Sequence, residues 1–348
     1  MDCRSTAICY GLHVMMFIAK IAGYPFANIC GKKEDANSML YWLIWGPLRL
    51  AYSVICIGLS SCIGLVFVAI AVWLNGRTNQ IEFVTRSGVY IVIYGQVLFN
   101  FCNLLFRRTL LADIVNTAAK LEPGLRLDME RVQRRLRKVA LLCLLYTLID
   151  AFKYVVGRRG QIKVAYYLLQ SYDDHFKRLF VPWYIASCFL VSTWYNMVFW
   201  QIVYFSSLFR EYFAALCDRL EFEMAASESR VESKGLPCET VRLNLVELQK
   251  LLRKVNSFIG GQALWYYCGS VFFLCAMLYN TATASNVGAP EVASSWSYVV
   301  MMAAGVVFST AAASRMTREI VGSVITYTVV LVQTSESIMA NKCSKGPQ

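Results

Sequence analysis

Residues 326–333 read TYTVVLVQ and lie inside the last of several apolar runs that are long enough to cross a membrane. A Gln in such a run is unusual, because an unpaired amide in hydrocarbon costs several kcal/mol. The pattern predicts that this amide faces either a water-filled path or a partner helix, since Ser, Thr and Gln also join helices within membranes. At about 100° per residue, one mildly polar stripe of this helix holds Ser323, Thr326, Val330, Gln333 and Ser337.

Apolar runs of about 20 residues recur along the chain, as helices that cross a bilayer core of about 30 Å require. Of the 348 residues, 57% are apolar and 14% are aromatic, which is more than a soluble domain needs. The sequence therefore predicts an all-α, polytopic membrane protein with a single seven-helix transmembrane domain over residues 1–348. The spans are expected at about 48–74, 84–106, 139–156, 179–206, 260–283, 293–312 and 320–339.

The basic residues between these runs predict how the chain is oriented. Lys and Arg number 23 in the segments on the side of the N-terminus and 9 in the alternate segments. The positive-inside rule then places the N-terminus in the cytoplasm and, after seven spans, the C-terminus outside the cell. Residues 107–138 and 207–258 become cytoplasmic loops, and their charge and Leu spacing predict amphipathic helices that extend the spans or pack on other subunits. Solvated helical loops are the alternative.

A shorter apolar run covers residues 6–19. Its length fits a helix that dips into the membrane, and equally fits the core of a signal peptide. No convincing cleavage site follows it, so we expect a retained helix.

Several classes of function find no support in the sequence. The net charge of +12 is explained by the orientation of the spans, so it does not indicate a nucleic-acid partner. Only two His residues occur, the thirteen Cys residues show no zinc-ligand spacing, and no GxSxG, HExxH or P-loop pattern is present. We therefore expect no enzymatic activity, no cofactor and no metal. The orientation is also opposite to that of a G-protein-coupled receptor.

The C-terminal stretch resembles a signature of insect gustatory receptors, in which Thr-Tyr is followed by five apolar residues, Gln and Phe. Here Thr326 and Tyr327 precede five mostly apolar residues and Gln333, with Thr334 in place of the Phe. Residues 23–26 read GYPF and resemble the Gly-x-Pro-Phe found near the N-terminus of that family. The motifs cover a small part of the chain, whereas the predicted architecture agrees with that of the family over nearly all of it.

The resemblance implies a subunit of a tetrameric, ligand-gated, nonselective cation channel, in a family related to the insect odorant receptors. The last helix of each subunit would line a central pore, with Gln333 and Val330 as the gate ring and with Thr326 and Ser337 on the same stripe. Family members usually carry a further cytoplasmic helix before this span, whereas only residues 314–319 separate the two apolar runs here. Either the sixth span is fused to the lead-in of the last helix, or a segment is missing.

The same resemblance places a ligand pocket among the outer halves of the other spans. Each candidate contact has a structural alternative. Asp150 can pair with Lys153, which lies three residues further on, and Gln96 can join helices together with Asn100 and Asn103. Aromatic side chains can also lie in the interfacial belt of the membrane. The candidate ligand contacts are Asp150, Tyr154, Gln96, Tyr184 and Tyr279.

The function predicted from the sequence is that of a taste receptor in the plasma membrane of a chemosensory neuron. It would be a ligand-gated cation channel subunit that detects tastants, with aromatic-rich spans that favour bitter or lipophilic compounds. Its partners would be membrane lipid and other gustatory receptor subunits, in a homotetramer or heterotetramer. The alternatives are a non-conducting regulatory subunit of a heteromeric receptor and a small-molecule transporter, although no internal repeat of the transporter kind is present.

Overall fold

The structure is a computed structural model that describes residues 6–9, 12, 48, 51–52, 54–56, 58, 80–157, 174–228, 236–283 and 296–322. This part of the chain is helical and contains no strand. Its long helices, numbered in chain order, are α1 Gln80–Phe106, α2 Arg108–Leu125, α3 Met129–Gly157, α4 Asp174–Glu228, α5 Leu236–Thr283 and α6 Trp296–Gly322.

The connections between the first three of these helices are short and well defined by local chemistry. Arg107 alone separates α1 from α2, and its guanidinium donates a hydrogen bond to the carbonyl of Ser257 on α5. Arg126 directly follows α2 and adopts the left-handed conformation, at φ 50°, as is common just after a helix. The carboxylate of Asp128 then accepts the backbone N–H of Arg131 at 3.2 Å and caps the start of α3.

Helices α4 and α5 are far longer than a membrane crossing requires. With 55 and 48 residues and a rise of about 1.5 Å per residue, they measure roughly 80 Å and 70 Å, against about 30 Å of hydrocarbon. Both continue as helix through most of residues 207–258, where the sequence predicts cytoplasmic helical loops. Span boundaries and the sidedness of these extensions remain predictions.

Helix α4 lies at the centre of the bundle. Every residue from 191 to 200 is buried, and α4 packs against α3, α5, α1 and α2. Ion pairs join the ends of the helices that are predicted to be cytoplasmic. Lys254 on α5 meets Asp113 on α2 at 2.8 Å, and Arg210 on α4 meets Glu319 on α6 at 3.4 Å.

Two helices of the described part are long and apolar enough to cross a membrane, namely Thr240–Tyr279 within α5 and the whole of α6. Helix α1 contributes a shorter apolar stretch, Ile91–Phe106. Only 11% of the most apolar window of α6 is buried within the chain. The count of seven spans and their orientation remain predictions.

Helix α6 also bears on the connection between the sixth and seventh predicted spans. It runs without a break from Trp296 to Gly322 and therefore passes through residues 313–319 as helix. This continuity agrees with a sixth span that is fused to the lead-in of the last helix. The last predicted span beyond residue 322 lies outside the described residues.

The N-terminal segment, here residues 6–9 and 12, lies inside the protein core. The backbone N–H groups of Ala7 and Ile8 donate to the carboxylate of Glu122 on α2, at 2.8 and 3.0 Å. The hydroxyl of Tyr212 on α4 donates to the same carboxylate at 2.6 Å, and that of Tyr204 donates to the carbonyl of Ile8 at 2.7 Å. Burial raises the pKa of Glu122. The described residues of the segment are thus held by α2 and α4. That the run at residues 6–19 dips into the membrane stays a prediction.

Candidate functional site

Asp150 is the only acidic residue of the predicted third span, and the structure shows what holds it. It lies on α3 and is 7% exposed. Its Oδ2 atom accepts hydrogen bonds from Ser192 Oγ at 2.7 Å and from Asn196 Nδ2 at 2.9 Å. Ser192 and Asn196 are one turn apart on α4, and so both reach the same carboxylate. The side chain of Lys153, the partner that the sequence suggests, lies outside the described residues.

One turn away along α3, a second contact ties α3 to α4. The indole N–H of Trp200 donates to the carbonyl of Cys143 at 3.1 Å and to Thr147 Oγ1 at 3.0 Å. Trp200 and Thr147 are both fully buried. This contact fixes the rotation of the two helices around Asp150, so the carboxylate is held by a rigid surface.

Three tyrosines from different helices lie near Asp150. Tyr146, Tyr195 and Tyr266 come from α3, α4 and α5, and each lies close enough to interact electrostatically with Asp150. The rings of Tyr195 and Tyr266 are 5.9 Å apart. We call these three tyrosines with Asp150, Ser192 and Asn196 the Asp150–tyrosine cluster.

The tyrosine hydroxyls of this cluster differ in their partners. Tyr146 donates to the backbone carbonyl of Met301 on α6 at 2.9 Å, and Tyr195 contacts the sulfur of Met302 at 3.7 Å. The hydroxyl of Tyr266 is buried and makes no hydrogen bond within the described part of the chain. A buried hydroxyl without a partner is rare in proteins.

Gly305 allows α6 to approach these hydroxyls. A Cβ atom at this position would lie 2.5 Å from the hydroxyl of Tyr146 and 2.8 Å from that of Tyr266. No side chain can be placed there without moving a ring or the helix. Next to it, Ser309 accepts a hydrogen bond from Tyr267 at 3.0 Å.

A second buried polar group joins α1 to α4 and α5. Asn100 Nδ2 donates to the carbonyl of Trp194 at 2.7 Å, and Asn103 Nδ2 donates to the carbonyl of Phe258 at 2.9 Å. Gln96 and Gln262 both donate to Asn100 Oδ1, at 2.7 and 3.1 Å. Asn100 and Asn103 therefore make hydrogen bonds between helices, which is the alternative that their spacing left open, whereas Gln96 bonds Asn100 within α1.

Of the candidate site residues from the sequence, only Asp150, Gln96 and Tyr279 have side chains in the described part of the chain. Asp150 belongs to the cluster on the α3 side of α4, whereas Gln96 bonds on the α1 side. Tyr279 is half-buried near the end of α5. The side chains of Tyr154 and Tyr184 lie outside the described residues, and so do all the predicted pore residues, Thr326, Val330, Gln333 and Ser337.

The sequence analysis missed the groups that hold Asp150. Ser192 and Asn196 stand four apart within an apolar run, and that spacing is a signal for one polar face on α4. The tyrosines carry no comparable signal, because aromatic residues are frequent throughout the spans. Among the described residues, no group of three or more His, Cys, Asp or Glu side chains is arranged to hold a metal ion.

Comparison with solved structures finds proteins of similar fold. The structure is similar to that of the insect olfactory receptor OR5 from Machilis hrabei, with a TM-score of 0.65. The chain has the fold of an insect olfactory receptor. The match covers 90% of this chain and 81% of OR5 at 12% sequence identity, and it is a match to a receptor, not an enzyme. No family model and no curated protein matches the sequence.

Proposed function

We propose that this chain is a chemoreceptor subunit that forms a ligand-gated, nonselective cation channel in the plasma membrane of a chemosensory neuron. The observation that carries the proposal is the olfactory receptor fold, because it extends over 90% of the chain. The stretch at residues 326–333 favours a taste receptor, since it resembles the gustatory signature. The ligand would then be a tastant, and the aromatic-rich spans favour a bitter or lipophilic one.

Assembly with further subunits is part of this proposal. Only 11% of the most apolar window of α6 is buried within its own chain, and the helix is apolar enough to cross a membrane. A tetramer, formed with copies of this chain or with other receptor subunits, would place the last helices around a pore. Gln333 and Val330 would form its gate, with Thr326 and Ser337 on the same side. We further propose a cytoplasmic N-terminus and an extracellular C-terminus, which end-tagging on intact cells would test.

The Asp150–tyrosine cluster is the site that we propose for the tastant. It combines an apolar, aromatic wall with one carboxylate and one hydroxyl, that of Tyr266, which no group in the described chain satisfies. Ligand sites are typically of this kind, mostly apolar with a few polar groups that fix orientation. Tyr154, Tyr184 and Tyr279 would be secondary contacts.

Recording of currents from cells that express the full chain tests the channel proposal. The chain would be expressed alone and with other receptor subunits, and exposed to a tastant panel. Gln333→Ala should change ion permeability or gating while the protein still reaches the surface. Gln249→Ala, which alters an exposed glutamine of α5, serves as the matched control. A Gln333→Ala channel with unchanged currents would remove Gln333 from the pore.

The Tyr266→Phe variant tests the ligand site separately. The hydroxyl of Tyr266 has no partner in the described chain, so its removal breaks no internal hydrogen bond and should leave folding intact. If this hydroxyl binds the tastant, the half-maximal concentration rises about tenfold, which corresponds to a hydrogen bond of about 1.4 kcal/mol. Tyr267→Phe is the control, since that hydroxyl already bonds Ser309. Equal sensitivity of the Tyr266→Phe variant and the wild type would move the site elsewhere.

A second candidate function is that of a regulatory subunit that joins heteromers without conducting. It is favoured by the short connection at residues 314–319, where family members carry a longer helical segment. This function predicts no current from the chain alone and an altered ligand response when a conducting partner is present.

A further inference from the structure

The bonding around Asn100 fixes the orientation of three side-chain amides. The carbonyl of Trp194 can only accept a hydrogen bond, so the amide nitrogen of Asn100 must face it. The Oδ1 atom of Asn100 is then turned the other way, as an acceptor. Both Gln96 and Gln262 meet that atom, and each must present its NH₂ group to it. We call these three amides and the Trp194 carbonyl the Asn100 junction.

This arrangement leaves two amide oxygens without a hydrogen-bond donor. With their nitrogens committed to Asn100, the Oε1 atoms of Gln96 and Gln262 point away, and neither has a hydrogen-bond partner within the described part of the chain. Both residues are almost completely buried, at 0% and 1% exposure. Reversing either amide would bring two acceptor oxygens together, because the Gln oxygen would then face Asn100 Oδ1, and the hydrogen bond would be lost. A buried acceptor that lacks a donor costs free energy, more so where lipid replaces bulk water.

The surroundings define which donor can complete the junction. Between residues 89 and 105 of α1, 179 and 209 of α4, and 255 and 283 of α5, the sequence contains no Asp, Glu, Lys or Arg. A cationic donor would have no counter-charge there and would bear the full cost of leaving water. A neutral hydroxyl meets an amide oxygen without that cost.

The junction uses a different face of α4 from that of the proposed tastant site. Helix α1 packs on the face of α4 that carries Trp194, whose ring lies 5.5 Å from that of Phe101. Helix α3 packs on the face that carries Ser192 and Asn196. Both sites therefore lie on different faces of α4. They share α5, on which Gln262 of the junction lies one turn before Tyr266 of the Asp150–tyrosine cluster.

We propose that Gln96 and Gln262 form a binding site for a small neutral hydroxyl donor, between α1, α4 and α5. The donor is either an internal water molecule or a short alcohol, since both offer the same O–H group. An alcohol bound here would stabilise one packing of α1 against α5. Binding at this site does not depend on whether the chain conducts ions.

The test is a high-resolution density map of the full chain in lipid nanodiscs, without additive, with ethanol, and with acetonitrile, which has no O–H group. We expect density about 3 Å from Gln96 Oε1 or Gln262 Oε1. Density that is the same in all three maps identifies water. Density that grows only with ethanol identifies an alcohol. Empty space beside both oxygens in all three maps overturns the proposal.

Variants give a second readout. The Gln96→Met/Gln262→Met double variant removes both acceptors, and its thermal midpoint should not respond to ethanol more than to acetonitrile. If ethanol is the ligand, the wild type and the exposed control Gln249→Met should show a larger midpoint in ethanol than in acetonitrile at equal concentration. An ethanol-dependent rise that survives in the double variant would also overturn the alcohol assignment.

Discussion

Replacing Glu122 by Ala should release the N-terminal segment from the core. In the wild type this carboxylate accepts the N–H groups of Ala7 and Ile8, both of which are 0% exposed. These groups belong to the first turn of a helix, where no carbonyl of the same helix can accept them. An Ala at position 122 leaves three buried donors without this acceptor, namely the two N–H groups and the hydroxyl of Tyr212, and each costs about 1–3 kcal/mol.

The net change is smaller than the sum, because the variant no longer buries a carboxylate. We expect local opening of the segment to become easier by about 2–4 kcal/mol, which is a factor of roughly 30 to 1,000. Cys9 reports this opening, since it lies in the segment and is 2% exposed. The assay is the rate at which a maleimide modifies Cys9 in the purified full chain, located by mass spectrometry of the peptides.

Glu130→Ala is the matched control, because Glu130 is an exposed carboxylate at the start of α3. Its Cys9 should react at the wild-type rate. The reasoning is refuted if Cys9 reacts equally fast in the wild type and the Glu122→Ala variant. A wild-type Cys9 that reacts as fast as an exposed thiol would further show that the segment is not held in this position.

Three further predictions concern stability, each measured by the thermal midpoint of the purified chain. Gly305→Ala should lower the midpoint, because its Cβ would lie 2.5 Å from the Tyr146 hydroxyl. Adding Tyr146→Phe should restore part of the loss. A Gly305→Ala variant with an unchanged midpoint would show that α6 packs less closely. Trp200→Phe should cost about 1–3 kcal/mol, since Thr147 and a backbone carbonyl lose their donor, and a variant within error of the wild type contradicts that contact. Burial raises the pKa of Glu122 above 4.5, so the folded chain binds this proton more tightly than the unfolded chain does. The stability of the fold therefore falls as the pH rises above 4.5 toward the raised pKa. Glu122→Gln should flatten this pH dependence, and identical pH profiles of the variant and the wild type would contradict the role of Glu122.

The polar residues of α1 show how far sequence reasoning reaches. Their spacing of four and three predicts one face of a helix, and Gln96, Asn100 and Asn103 do act on one side of α1. Two of the groups that they bond, however, are the backbone carbonyls of Trp194 and Phe258. Every residue has such a carbonyl, so the sequence holds no mark of which one is used.

Asp150 illustrates the opposite limit. The sequence suggests a partner three residues away, because only neighbours on the same helix can be inferred from spacing. In the structure, its carboxylate accepts from Ser192 and Asn196, which lie 42 and 46 residues further along the chain. Such pairings depend on how α3 and α4 are rotated against each other, and that rotation is set by the packing of Trp200 against α3.

By itself, the sequence determined that this protein is helical and apolar enough for a membrane, because hydropathy and charge are local properties that accumulate along each run. Only the tertiary structure decided that α4 is the central helix, that the N-terminal segment donates hydrogen bonds to Glu122, and that two glutamines donate to Asn100. These contacts depend on the relative position and rotation of whole helices. That arrangement follows from the sum of many side-chain contacts, and no single stretch of sequence encodes it.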